Sequence, residues 1–123
     1  EAYDYAMCIL EEMQWIKTKS VKSTEFFHGT LELVDESTDV FLVKSAGATR
    51  PLDERVEKFL NQYGKKTVII DIKEYMDDID PAFAANLSPI FSTAVLNGRL
   101  SKYFEKNTGH DLDMRRYYRQ FDY

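Results

Sequence analysis

Two apolar runs constrain this chain most. Val40-Phe41-Leu42-Val43 and Thr67-Val68-Ile69-Ile70-Asp71-Ile72 are nearly continuous and rich in β-branched residues, the pattern of strands buried on both faces. Between them Pro51 suits a first helical turn, Val56, Phe59, Leu60 and Tyr63 share one stripe, and Gly64 stops the helix. Strand, helix, strand in that order is a βαβ unit, whose parallel pair needs a crossover. The expected class is α/β with a parallel sheet. Open sheets commonly have about four to six strands, so a further strand is expected upstream of Glu1.

Helices are expected on either side of this unit. Ala2–Ile16 reads as an amphipathic helix that starts abruptly, with no capping residue before it. That suggests a chain beginning inside a larger polypeptide. Lys19–Ser23 reads as a brief strand or loop, and Thr24 as the cap of a short helix through Phe26, Phe27, Leu31 and Val34. Asp35–Asp39 is a polar turn and Ser45–Arg50 a small-residue loop. Ser88-Pro89 reads as the start of the last long helix, which closes near Gly109. A charged, aromatic tail follows His110.

Within the first helix, about 100° per residue puts Trp15, Cys8, Glu12, Tyr5, Ile16, Ile9, Ala2, Met13 and Ala6 on one arc. Glu11 falls on the polar arc with Asp4 and Gln14. A carboxylate among aromatic and aliphatic side chains loses hydration, so the pKa of Glu12 is expected to rise and to suit a base near neutral pH. The competing reading is a structural carboxylate at a helix seam, held by an Arg or Lys. His28 lies sixteen positions on, preceded by Glu25 at helical spacing.

Composition narrows the partners. At 123 residues the chain is at most one domain. Its net charge of −5 gives no basic footprint for nucleic acid. The single cysteine, Cys8, excludes an internal disulfide and a cysteine zinc cluster and reads as a packed thiol. Two histidines without matched spacing make no metal site; His110 reads as a solvated loop residue. Asp77, Asp78 and Asp80 read as a solvated acidic loop. Ala2–Ile16 is too short and too polar on one face to span a bilayer, and nothing resembles a signal peptide. A cytoplasmic protein is the default.

The segment Ile9-Leu10-Glu11-Glu12-Met13-Gln14-Trp15, followed by Glu25-Phe26-Phe27-His28-Gly29-Thr30-Leu31-Glu32, resembles the sugar-isomerase (SIS) family. More narrowly it resembles bacterial fructosamine-6-phosphate deglycases of the fructoselysine-6-phosphate type. Arg50-Pro51-Leu52-Asp53-Glu54-Arg55 and the tail Arg115-Arg116-Tyr117-Tyr118 with its final aromatic also match. The likeness runs from about Ala6 to Tyr123. Thr30 departs from it, standing where the family has Pro; Thr keeps a backbone N–H and loosens the turn.

The resemblance implies a parallel-sheet, three-layer SIS (flavodoxin-like) domain that lacks its first strand in this chain. It implies that residues 1–123, with a tail at 110–123, are part of the C-terminal domain of a tandem-SIS protein. It implies catalysis by Glu12 and His28, with Glu25, Trp15, Arg115 and Arg116 binding substrate or supporting them. The phosphate-binding loop of such domains is not evident here. The substrate would be a phosphorylated sugar amine, and the products glucose 6-phosphate and an amino acid or amine. No metal or organic cofactor is needed, because the substrate imine is the electron sink. The other expected partners are an N-terminal SIS domain and further copies in a homodimer or larger assembly, with no nucleic acid and no membrane. An aldose–ketose isomerase and a non-catalytic sugar-phosphate sensor are the competing functions. The tail is either docked on its own domain or a lid; arginine suits carboxylate and phosphate.

Overall fold

A computed structural model describes residues 1–122; Tyr123, the last of the tail aromatics, lies outside the described residues. The chain forms two compact units, residues 21–92 and residues 1–20 with 93–123.

The first of these contains the expected βαβ. Strands β1 (Asp39–Lys44) and β2 (Lys66–Asp71) pair in parallel, with Leu42 opposite Ile69 and Val43 opposite Ile70. The helix Arg50–Tyr63 crosses between them, with proline in its first turn. Gly64 ends it without a left-handed turn. A side chain there would meet the Leu60 carbonyl at 2.8 Å, so close approach makes glycine suit the position. Phe26, Leu42, Val56 and Leu60 form the core, joined by Val40, Phe59 and Ile69. Asp35 builds the expected polar turn before β1 by accepting from the hydroxyls of Ser37 (2.7 Å) and Thr38 (2.8 Å) and from their N–H groups (2.8 and 2.9 Å); the Ser37 hydroxyl, then that of Thr38, does most to bring its carboxyl down to about 2.

Three expectations about this unit need correction. The strands are not buried on both faces along their whole length, although Ile70 on the second face is buried. The Val40, Leu42 and Ile69 face packs on the core, whereas the paired Phe41 and Val68 on the other are 43% and 47% exposed. The short helix Ser23–Phe26 is entered from Lys22, so Thr24 sits inside it and caps nothing. The last long helix starts at Pro81, not at Ser88-Pro89. Asp80 sets that start: its carboxylate accepts from the Ala82 N–H (2.9 Å) and its carbonyl from the Phe83 N–H (2.9 Å). Pro89 is therefore carried inside the helix, and buried Ser88 turns its hydroxyl to the Ala46 N–H at 3.0 Å.

The other unit is helical. After one α-turn, Ala2–Asp4, the chain runs as a π-helix over Tyr5–Met13. The C-terminal part of the long helix also has a π segment, Ala94–Leu100, before Ser101–Thr108. It closes on Gly109 at φ 68°, as a glycine stop requires. The π winding corrects the expected arc. Rings closed by i→i+5 bonds turn fewer degrees per residue than an α-helix. Tyr5, Ile9 and Gln14 are the buried set, while Trp15 and Ile16 stand exposed. Cys8 is half-buried.

The Tyr5 hydroxyl is buried with no hydrogen-bond partner among the described residues, and burial pushes its pKa up to about 12. Removing an unpaired hydroxyl relieves its desolvation cost, so Tyr5→Phe is expected to stabilise the protein by about 1 kcal/mol. The raised pKa makes this group's contribution full below about pH 10 and lost as the pH rises through the folded value. Urea midpoints measured from pH 7 upward check both points: the variant should start higher and lack this part of the alkaline decline. No helix among the described residues is long and apolar enough to cross a membrane.

Candidate active site

The π-helix delivers Glu12 to a cleft. At its C-terminal end buried Gln14 donates to the His110 carbonyl (2.7 Å) and accepts from the Thr108 hydroxyl (2.8 Å), which pins it to the end of helix Ser101–Thr108. Trp15 then adopts a left-handed backbone, φ 57°, which a residue with a Cβ pays for in sterics. This reversal lets the Ile16 N–H reach the Leu10 carbonyl at 2.8 Å, a closing bond of the kind that ends helices. The Trp15 ring is fixed on two sides. His110 meets it edge-on at 4.4 Å, and the Arg116 guanidinium lies over it at 4.1 Å.

Glu12 is half-buried, and its carboxylate accepts from Arg115 Nε at 3.1 Å. Arg115 also donates to the carbonyls of Leu112 and Met114. The carboxylate thus has the cationic partner that the structural reading supposed, and it also fronts an opening. Glu11, Glu12, Trp15, Lys17, Arg115 and Arg116 are among the residues lining a cleft of about 520 Å³, with Tyr117 and Tyr118 on its tail side. That volume suits a small-molecule site. The tail residues Arg115 and Arg116 are docked on their own unit, through Glu12 and Trp15, and also line this cleft.

His110 corrects a further expectation. It is no solvated loop histidine: its ring nitrogens are buried with no hydrogen-bond partner among the described residues, because the ring is packed against Trp15.

His28 and Glu25 belong to the other unit. Both are exposed. The His28 N–H donates to the Glu25 carbonyl at 2.9 Å, so Glu25 shapes the turn through its backbone. Gly29 follows at φ 136°, a conformation that residues with a side chain rarely adopt. The turn is anchored from behind. Phe26 packs on Phe59 at 5.4 Å, and Phe27 lies under the Arg55 guanidinium at 4.0 Å. Buried Asp53 accepts from the Ser23 hydroxyl (2.6 Å) and from the Ser45 N–H (3.0 Å), tying the His28 segment to the loop after β1.

Sequence reading missed a charge network at the carboxyl ends of the strands. Lys44, buried at the end of β1, bonds Glu57 (2.7 Å) and Asp71 (3.1 Å). Arg50 bonds both Asp71 oxygens, at 2.9 and 2.6 Å, and Glu54 at 3.0 Å. The Arg50 guanidinium holds the Asp71 carboxyl well below the usual range, and the bond to Glu57 raises the Lys44 ammonium. A lysine and an aspartate ending two apolar runs were the available signal. Among the described residues no cluster of His, Cys, Asp and Glu is placed to hold a metal ion.

No protein-family model matches the chain. It is 37% identical to the fructosamine deglycase FrlB of Bacillus subtilis over 123 residues, which is 99% of this chain and 37% of the relative. It is 28% identical to the fructoselysine 6-phosphate deglycase of Escherichia coli over 116 residues, covering 94% of this chain and 33% of that protein. Two crystal structures described as phosphosugar isomerases superpose on it. One, from Bacillus subtilis, gives a TM-score of 0.92 at 35% identity, over 99% of this chain and 37% of the other. One from Salmonella typhimurium gives 0.89 at 34% identity, over 99% and 38%. The chain spans little more than a third of the length of these relatives.

Proposed function

We propose that this chain, similar over 99% of its length to about 37% of a fructosamine deglycase and of a phosphosugar isomerase, belongs to the SIS family and carries acid–base residues of a fructosamine-6-phosphate deglycase. The observation that carries the reading is Glu12 opening onto a cleft of about 520 Å³ with aromatic walls. A ketosamine 6-phosphate has its amine on C1 and its carbonyl at C2, masked as a ring. His28, exposed on an anchored turn, passes a proton to the ring oxygen. Glu12 takes a proton from C1 and returns it at C2. The shift turns the C2 ketone and C1 amine into a C2 hydroxyl and a C1 imine. Water adds to the imine, the C–N bond breaks, and glucose 6-phosphate leaves with the free amine. Arg115 orients the Glu12 carboxylate, and Trp15 walls the cleft beside it. Each residue's role rests on its own surroundings and on the family resemblance.

The test uses the intact protein. Incubated with fructosamine 6-phosphates, it should release glucose 6-phosphate and free amine in equal amounts. Interconversion of sugar phosphates without amine release would make it an isomerase. Tight sugar-phosphate binding with no product would make it a sensor.

A further inference from the structure

The two neighbouring arginines of the tail are committed differently. Arg115 spends its donors on Glu12 and on two backbone carbonyls. Arg116 is exposed, and its guanidinium carbon lies 4.1 Å from the centre of the Trp15 ring; no hydrogen bond or ion pair engages its N–H groups among the described residues. The stacking partner is itself immobilised, since Trp15 is held by its left-handed backbone and by the edge-on His110 ring. A guanidinium held over an aromatic ring with its N–H donors unengaged among the described residues offers a planar fork, the geometry that binds carboxylate in two parallel bonds. Lys17, on the same cleft and likewise without an ion pair among the described residues, adds positive charge.

We propose that Arg116 is a specificity-determining residue: its guanidinium edge binds the carboxylate of an α-amino acid attached to C1 of the substrate. This rests on the deglycase reading above. If Glu12 moves the proton at C1, the part of the substrate beside it is the amine half. In an α-linked amino acid the carboxylate carbon lies three bonds from C1, through nitrogen and Cα. The phosphate lies on C6, at the opposite end of the sugar. An anion-binding group sharing a cleft with the C1 base therefore suits the carboxylate, and an amine lacking it leaves the fork unpaired.

The experiment compares two ketosamine 6-phosphates in the intact protein, one built on alanine and one on ethylamine, which is alanine without its carboxylate. The wild type should prefer the alanine adduct in kcat/KM by about 10- to 100-fold. Arg116→Gln should lose most of that preference through KM on the alanine adduct, with at most a few-fold loss on the ethylamine adduct. Arg116→Lys should recover part of it. An equal loss on both adducts would assign Arg116 to the phosphate or to folding and overturn the proposal, as would a wild type that treats the two alike. Turnover of neither adduct by the wild type would bring down the deglycase reading, and this inference with it.

Discussion

In the intact protein Glu12→Gln lowers kcat for amine release by about 10²- to 10⁴-fold, the range for removing a positioned acid–base group. The substitution is chosen to keep the shape of the site. A glutamine oxygen still accepts from Arg115 Nε, which lies 3.1 Å from the native carboxylate, so the tail contact survives while the basic oxygen is gone. An interaction used only in the transition state should depress kcat and kcat/KM together. His28→Ala should give a loss of the same order. Its ring is exposed and the segment is anchored by Phe26, Phe27 and Asp53, so the melting temperature should hardly move. Steady-state kinetics beside a thermal melt decide the matter. Activity surviving in a folded variant removes that residue from the mechanism.

Asp71→Ala should be the most destabilising single change in the charge network. Asp71 is the common acceptor of Lys44 and Arg50, all three largely shielded from water. Removing one partner of such a pair leaves a desolvated charge, at a cost of about 3–5 kcal/mol. The low end applies, since Lys44 keeps Glu57 and Arg50 keeps Glu54. The pH dependence follows from the directions of the shifts. The carboxyl of Asp71 is depressed when folded, so its contribution is complete above its unfolded value of about 4 and is lost as the pH falls through the folded value. The ammonium of Lys44 is raised, so its contribution is complete below its ordinary range and fades above it. Chemical denaturation at pH 7 and at steps below pH 4 should show the variant weaker at neutrality and flatter in acid. Equal acid slopes for the two proteins would place the acid sensitivity elsewhere.

The βαβ unit was legible because its signals are local: two β-branched runs, Pro51 at a helix start and Gly64 at its end. Gly109 was legible for the same reason. The start at Pro81 was overlooked because Ser88-Pro89 looks like a stronger opening than Asp80-Pro81, and only the hydrogen bonds of Asp80 decide between them. The expected double burial of the strands failed at Phe41 and Val68, because an apolar run reports what a strand tolerates and not what covers it. Glu12 was singled out as a carboxylate on an apolar arc, and it is half-buried and lines a cleft. Its partner Arg115 lies 103 residues away, and such a pairing leaves no trace in periodicity. His110 was misjudged because Gly-His-Asp reads as a turn, and the ring that seals it, Trp15, also lies far away in the chain.

The wide coil of Tyr5–Met13 bears on how this chain is aligned with its kin. An i→i+5 winding stores surplus length that an ordinary helix would not hold. A relative one residue shorter across this stretch could wind as an ordinary α-helix and leave the residues beyond the gap facing much the same way. Where such a gap is placed therefore decides which carboxylate of a relative is compared with Glu12, and so whether two proteins aim the same group at the same opening.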